Sequence, residues 1–261
     1  MYFTANGTWT CPDNTNAILV SGAGGAGGGA GGSGLGFAAA GNTFYSGAGG
    51  GGGCFEQKTV LSVIPGTVYT VIIGEGGAGG IGGVATDADL IPTDDEEVIV
   101  YTSKQLGTDG YRGGTTMILQ EDELLLSIEG TEGGKNGAID VVTEYSGLGG
   151  KSASGANGGD GGQAPGWCAS PGGGNTINFY LGGNPGDETD GFGGGGGGGA
   201  GTKGNGANGG ASGLTVAGDG QDAAPNSGGG GGGGGTIVYT APPGTGGNGG
   251  KGSDGYLYIV W

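Results

Sequence analysis

Few side chains in this chain could do chemistry, and each set falls short of a reaction. Val20-Ser-Gly-Ala-Gly-Gly-Ala-Gly27 runs from a strand-like stretch into G-x-G-x-x-G, the spacing that holds a dinucleotide pyrophosphate against a helix N-terminus. That chemistry needs a helix directly afterwards and an acid about 20 residues on. Gly28-Gly-Ala-Gly-Gly-Ser-Gly34 follows instead, so the match belongs to a glycine-rich chain and not to a nucleotide site. No histidine is present, which removes the usual general base and the commonest metal ligand. Serines stand without a His or Lys partner at a recognisable spacing. Asp87, Asp89, Asp94, Asp95, Glu96 and Glu97 are enough acids for calcium, but they lack the ordered D-x-D-x-D-G…E loop and read as solvated charge. Cys11, Cys54 and Cys168 form no CxxC pair, and an odd number is no disulfide framework. The expectation is a protein that is not an enzyme and holds neither cofactor nor metal.

Binding chemistry remains. Phe37, Phe44, Tyr45, Trp167, Phe179, Tyr180 and Phe192 all lie in short segments that break glycine runs. Rigid aromatics on loops make binding anchors at low entropic cost. Phe44, Tyr45, Trp167, Phe179, Tyr180 and Phe192 are therefore the candidate binding residues. Their neighbours Asn42, Ser170, Asn175 and Asn178 suit a sugar or a protein loop.

The elements that must position these loops are unusual. Eighty of 261 residues are glycine, in runs such as Gly49–Gly53, Gly193–Gly199 and Gly228–Gly235, and glycine costs a helix about 1 kcal/mol per residue relative to alanine. Collagen is excluded, because the glycines are contiguous and only nine prolines occur. A flexible linker is excluded by the apolar runs Ala17–Val20, Val68–Ile73, Met117–Leu119, Leu124–Leu126, Thr236–Tyr239 and Tyr256–Trp261, which have the length of buried strands. Polyglycine packed as polyproline-II-like helices fits both observations. Such helices rise about 3.1 Å per residue and have no internal hydrogen bonds, so neighbours exchange them and satisfy the backbone. Gly228–Gly235 would span about 25 Å. The expected fold class is all-β, short strands and hairpins combined with bundled polyglycine-II helices, with essentially no α-helix.

Composition divides the chain into a strand and glycine-run scaffold over 1–83, an acidic β insertion over 84–146, and a polyglycine-II bundle with loops and a closing strand over 147–261. Residues 84–146 hold 14 of the 24 acids and only 8 of the glycines, which sets them apart. Pro65-Gly66 between Phe55–Ile64 and Thr67–Ile73 favours a type II turn, and a hairpin is expected there. A net charge of −17 argues against nucleic acid and against anionic lipid. No apolar stretch reaches a membrane span. Met1–Trp9 lacks the charged and apolar regions of a signal peptide, so synthesis without Sec export is expected.

Four segments together resemble the glycine-rich domain at the ends of bacteriophage tail fibres. They are Gly7-Thr-Trp-Thr-Cys-Pro12, Ala17-Ile-Leu-Val-Ser-Gly-Ala-Gly-Gly25, Val63-Ile-Pro-Gly-Thr-Val-Tyr-Thr-Val-Ile-Ile-Gly-Glu-Gly-Gly77 and Gly249-Gly-Lys-Gly-Ser-Asp-Gly-Tyr-Leu-Tyr-Ile-Val260. The construction is also similar to the separate adhesin at the tip of T-even-like long tail fibres. The resemblance implies β-strands joined to bundled polyglycine-II helices, and loops between them that contact a host receptor, protein or glycan. It implies a virion protein assembled in the host cytoplasm and acting outside it, with other virion proteins as partners and a homo-oligomer as one possible state. Attachment is expected through the sheet of the terminal strands or through 84–146. The rival expectation is a capsid or tail decoration or connector protein that binds only virion proteins.

Overall fold

The structure, a computed structural model, describes residues 1–32, 50, 55–85, 88–92, 97–101, 107–135, 180–187, 194–237 and 244–261. Twelve strands and no helix occur among them. The first four-stranded antiparallel sheet is ordered β1 (Tyr2–Phe3), β12 (Tyr256–Val260), β3 (Ala17–Ala23), β4 (Phe55–Ser62). The second is ordered β10 (Glu123–Ile128), β9 (Thr116–Gln120), β5 (Val68–Ile72), β2 (Gly7–Thr10). Strict alternation in β3 and β5 turns Ile18, Val20, Tyr69 and Val71 inward, as a half-buried strand requires. They meet Trp9, Ile118, Ile128, Leu257 and Ile259 in one core between the two sheets. The terminal strands β1 and β12 thus pair within the first sheet. The stretch set apart by its acids supplies β9 and β10, so its apolar residues Ile118 and Ile128 complete this core.

The expected hairpin over 55–73 is not formed. Pro65-Gly66 does turn, with Gly66 at φ 74°, the left-handed value a type II turn needs. Yet β4 pairs with β3 and β5 pairs with β2 and β9, so the turn carries the chain from one sheet to the other. The corner is fixed from the second sheet: the Ile64 N–H donates to the Tyr69 hydroxyl at 2.8 Å, and the Gly66 N–H donates to the Cys11 carbonyl at 2.9 Å. Two smaller pairs, β6 (Val84–Ala85) with β11 (Gly244–Thr245) and β7 (Ala88–Pro92) with β8 (Glu97–Tyr101), lie outside the sandwich.

Glycine rods continue the strands. Rod 24–32 leaves β3 and has hydrogen-bonded neighbours on five sides. Its N–H groups at 25, 28 and 31 donate to the carbonyls of 114, 111 and 108, and those at 26, 29 and 32 donate to 253, 250 and 247. Its carbonyls at 26, 29 and 32 accept from 77, 80 and 83, those at 25 and 28 from 131 and 134, and those at 27 and 30 from 231 and 234. Each step is three residues, the turn of a polyglycine-II helix, and it accounts for backbone groups that burial would orphan. The same step explains the glycines. A Cβ on Gly25, Gly28 or Gly31 would meet the carbonyl oxygens of Glu75, Ala78 and Ile81, at 2.1 Å, 2.1 Å and 2.2 Å.

Side-chain oxygens of an adjoining rod add acceptors to its main-chain bonds. Asn205 and Asn208 accept from the N–H groups of Leu181 and Asn184, and Asp219 and Asp222 accept from those of Asn248 and Lys251. Thr116 joins the two architectures, because its buried hydroxyl accepts from the Gly74 N–H and donates to the Ala23 carbonyl.

Candidate binding surfaces at the two ends of the rods

Hydrogen-bond register fixes the direction of every rod. Rods 74–83, 129–135 and 228–236 run parallel to 24–32, away from the sandwich, whereas 107–115 and 246–255 return to it. Farther out, 181–187 and 204–213 run away and 194–201 and 217–224 return. The bundle therefore has a near end against the sandwich and a far end about 25 Å beyond it, eight or nine residues at 3.1 Å each. At the far end β6 and β11 pair, and the parallel bridges Gly213–Ile237 and Val216–Thr245 tie the rod tips.

Of the six candidate residues the structure describes Tyr180 alone. Phe44, Tyr45, Trp167, Phe179 and Phe192 lie outside the described residues, as do Asn42, Ser170, Asn175 and Asn178. Asp187 and Gly194, which flank the Phe192 segment, stand at the far end, and so does Gly32, from which the Phe44–Tyr45 segment departs. Tyr180 is described and half-buried, and it opens rod 181–187 at the near end. Tyr180 thus stands a full rod length from the residues that flank Phe192. Asp89 and Glu97 fall in β7 and β8, while Asp87 and Asp94 to Glu96 lie outside the described residues. Among the described residues no three Asp, Glu, Cys or His side chains gather as for a metal. Cys11 is buried, and that burial, with Asp13 nearby, pushes its thiol above the ordinary value.

Around Tyr180 the near end is closed by a cluster that sequence reasoning missed. The Lys203 ammonium lies 3.6 Å from the Tyr256 ring centroid and 4.1 Å from that of Tyr2, within cation–π range. It also donates to the Tyr2 hydroxyl at 3.1 Å. The Tyr256 hydroxyl is 2.6 Å from Thr202 Oγ1. Burial pushes Tyr256 up to about 12, against the pull of the Thr202 hydrogen bond, with Tyr2 and Tyr180 raising it further. The signal was a lysine in the break Gly201-Thr-Lys-Gly204 of a chain with seven basic residues. Its partners are more than fifty positions away, which no local spacing reveals.

A second surface lies on the outer face of the first sheet. Val260, Leu19 and Val60 stand opposite one another across three strands, and Tyr2 stands opposite Tyr258. All five are exposed, Val60 most at 66%. Exposed together on an acidic protein, these apolar side chains are a candidate contact face.

The family described as a glycine-rich domain matches residues 4–261, so the chain belongs to that family. The match takes in sandwich and rods alike. Among curated proteins none matches.

Proposed function

We propose that this member of the glycine-rich domain family is a non-enzymatic phage virion surface protein, a receptor-binding adhesin that presents loops on a rigid polyglycine-II scaffold. The observation that carries the reading is the polarity of the bundle. A packed sandwich closes one end, and rods bonded on up to five sides reach the other. Loops whose two ends are anchored in such rods would lose less entropy when they bind. The resemblance to tail-fibre domains supplies the setting: assembly in a host cytoplasm, action outside it, and a host surface protein or glycan as the target. The exposed row on the first sheet favours a second reading, a capsid or tail decoration or connector protein that meets only other virion proteins. The two readings share the sheet as the attachment face and differ at the far end.

The test is surface binding of labelled protein to a bacterial panel that includes a strain the parent virus infects. Phe44→Ala with Tyr45→Ala and Phe192→Ala forms one variant, and Trp167→Ala with Phe179→Ala and Tyr180→Ala the other. Saturable binding abolished in the first variant is expected of an adhesin whose site includes the Phe44–Tyr45 and Phe192 segments, and loss only in the second moves the site to Trp167 and Phe179–Tyr180. Absence of binding to the infected strain refutes the adhesin and leaves the decoration role.

A further inference from the structure

Three Asn-Gly pairs, Asn205-Gly206, Asn208-Gly209 and Asn248-Gly249, lie in described rods. Asn-Gly is the dipeptide most prone to spontaneous deamidation, because glycine leaves the following amide nitrogen unhindered. In that reaction the glycine nitrogen loses its proton and bonds to the asparagine Cγ. The side-chain nitrogen leaves as ammonia with that proton, and a succinimide ring remains. Solvent water then opens the ring to aspartate or isoaspartate. Attack requires the Cγ to swing onto its own chain's next nitrogen, so both groups must be free to move.

In each pair both groups are held. Asn205 Oδ1 accepts from the Leu181 N–H at 3.0 Å, while the Gly206 N–H donates to the carbonyl of that same Leu181 at 3.0 Å. Asn184 grips the next pair in the same way, its N–H donating to Asn208 Oδ1 at 2.9 Å and its carbonyl accepting from the Gly209 N–H at 2.9 Å. The Asn208 amide nitrogen, the leaving group, also donates to Gln221 Oε1 at 3.2 Å. Asn248 Oδ1 accepts from the Gly82 N–H at 2.9 Å, and the Gly249 N–H donates to the Gly80 carbonyl at 2.8 Å.

We infer that Asn205, Asn208 and Asn248 are latent deamidation sites that the rod lattice holds closed, each by a two-point clamp from the adjoining rod. Opening the rods exposes all three. Conversion to aspartate leaves an acceptor in place, as Asp219 and Asp222 show at equivalent positions. Isoaspartate does not, since it adds a methylene to the main chain and throws every later residue out of the three-residue step. A rod that opens long enough to convert therefore cannot reseat, and unfolding becomes irreversible by chemistry.

The experiment is site-resolved mass spectrometry of the full chain during incubation at pH 8, native and in denaturant. The three sites should convert at least about tenfold more slowly in the native protein, the effect of opening two hydrogen bonds first. Leu181→Pro removes one bond of one clamp, and proline suits the backbone angles of such a rod. In this variant Asn205 alone should speed up, by about fivefold, with Asn208 and Asn248 unchanged. Equal native and denatured rates overturn the inference. So does a Leu181→Pro protein in which Asn205 is unaffected, or in which all three sites accelerate together, because protection would then not reside in separate clamps.

Discussion

Replacing Gly29 by alanine puts one methyl group into the centre of the bundle, and its effect follows from the lattice. The new Cβ would lie 2.0 Å from the Gly232 carbonyl oxygen, more than 1 Å inside ordinary contact. Rods 24–32 and 228–236 are bridged there by bonds of 3.0 Å and 2.9 Å, from the N–H groups of Gly231 and Gly234 to the carbonyls of Gly27 and Ala30. Moving the rods apart by 1 Å breaks both, at about 1 kcal/mol each, and the residual crowding costs about 1–3 kcal/mol. Alanine returns about 0.4–1 kcal/mol by restricting the unfolded chain. The net loss is about 3 kcal/mol, a fall in Tm of about 10 °C for a chain of this size.

Gly218→Ala is the matched comparison. Gly218 also lies in a rod and bonds both ways, to the Ala211 carbonyl and from the Gly235 N–H. Its added Cβ has the Ala211 nitrogen as its nearest neighbour at 3.0 Å, with no carbonyl oxygen closer than 3.4 Å. This rod is at the edge and can give, so the change should fall within about 1 kcal/mol of neutral. Scanning calorimetry of the two variants beside the parent decides the matter. Equal shifts would refute the assignment of the glycine requirement to close carbonyl approach, and would point to a general effect of glycine content.

Glu121, at the tip between β9 and β10, has φ 53°, a value costly for a side chain other than Gly or Asn. Glu121→Asn should raise stability by about 0.5–1 kcal/mol, read as a higher urea midpoint with unchanged slope. Tyr256 titrates at about 12 in the folded chain against an ordinary 10, so its contribution is complete below pH 10 and is lost as pH rises toward 12. The urea midpoint should therefore fall across that window, and Tyr256→Phe should fall less; an identical decline in both would show that other groups govern the alkaline limb.

The strands were legible in the sequence and their partners were not. Apolar runs at 17–20, 68–73, 117–119, 124–126 and 256–261 each became a strand, because alternation and length suffice for that. In the run 236–239, by contrast, the described Thr236 and Ile237 form no strand, and Ile237 makes only an isolated bridge to Gly213. Pro65-Gly66 specified a turn and no more, since a type II turn serves a corner between sheets as well as a hairpin, and the choice was made by Tyr69 and Cys11. Rod neighbours were invisible for a different reason. Glycine has no side chain to record which rod it faces, so only the lattice edge leaves a trace, in acceptors three apart such as Asn205 and Asn208 or Asp219 and Asp222. Lys203 was passed over because its partners Tyr2 and Tyr256 are brought to it by β1 and β12. That Tyr180 stands at the near end depends on rod direction, which only the register of hydrogen bonds supplies.

That register also explains why such a scaffold suits the display proposed for it. In an ordinary core, stability and surface compete for the same side chains, so a loop change that disturbs packing is felt throughout. Inside this bundle the cohesion is between main chains, and any residue larger than glycine is excluded at positions such as Gly27, Gly29 and Gly32, where a Cβ would fall within 2.0 Å of a carbonyl. Edge positions escape the restriction: an added Cβ on Gly218 has no carbonyl oxygen closer than 3.4 Å. Substitution in the connections therefore leaves the close main-chain contacts at positions such as Gly29 untouched. A binding face built from the connections can change its residues without renegotiating the fold, while the positions that admit no Cβ, such as Gly27, Gly29 and Gly32, stay fixed between the ends.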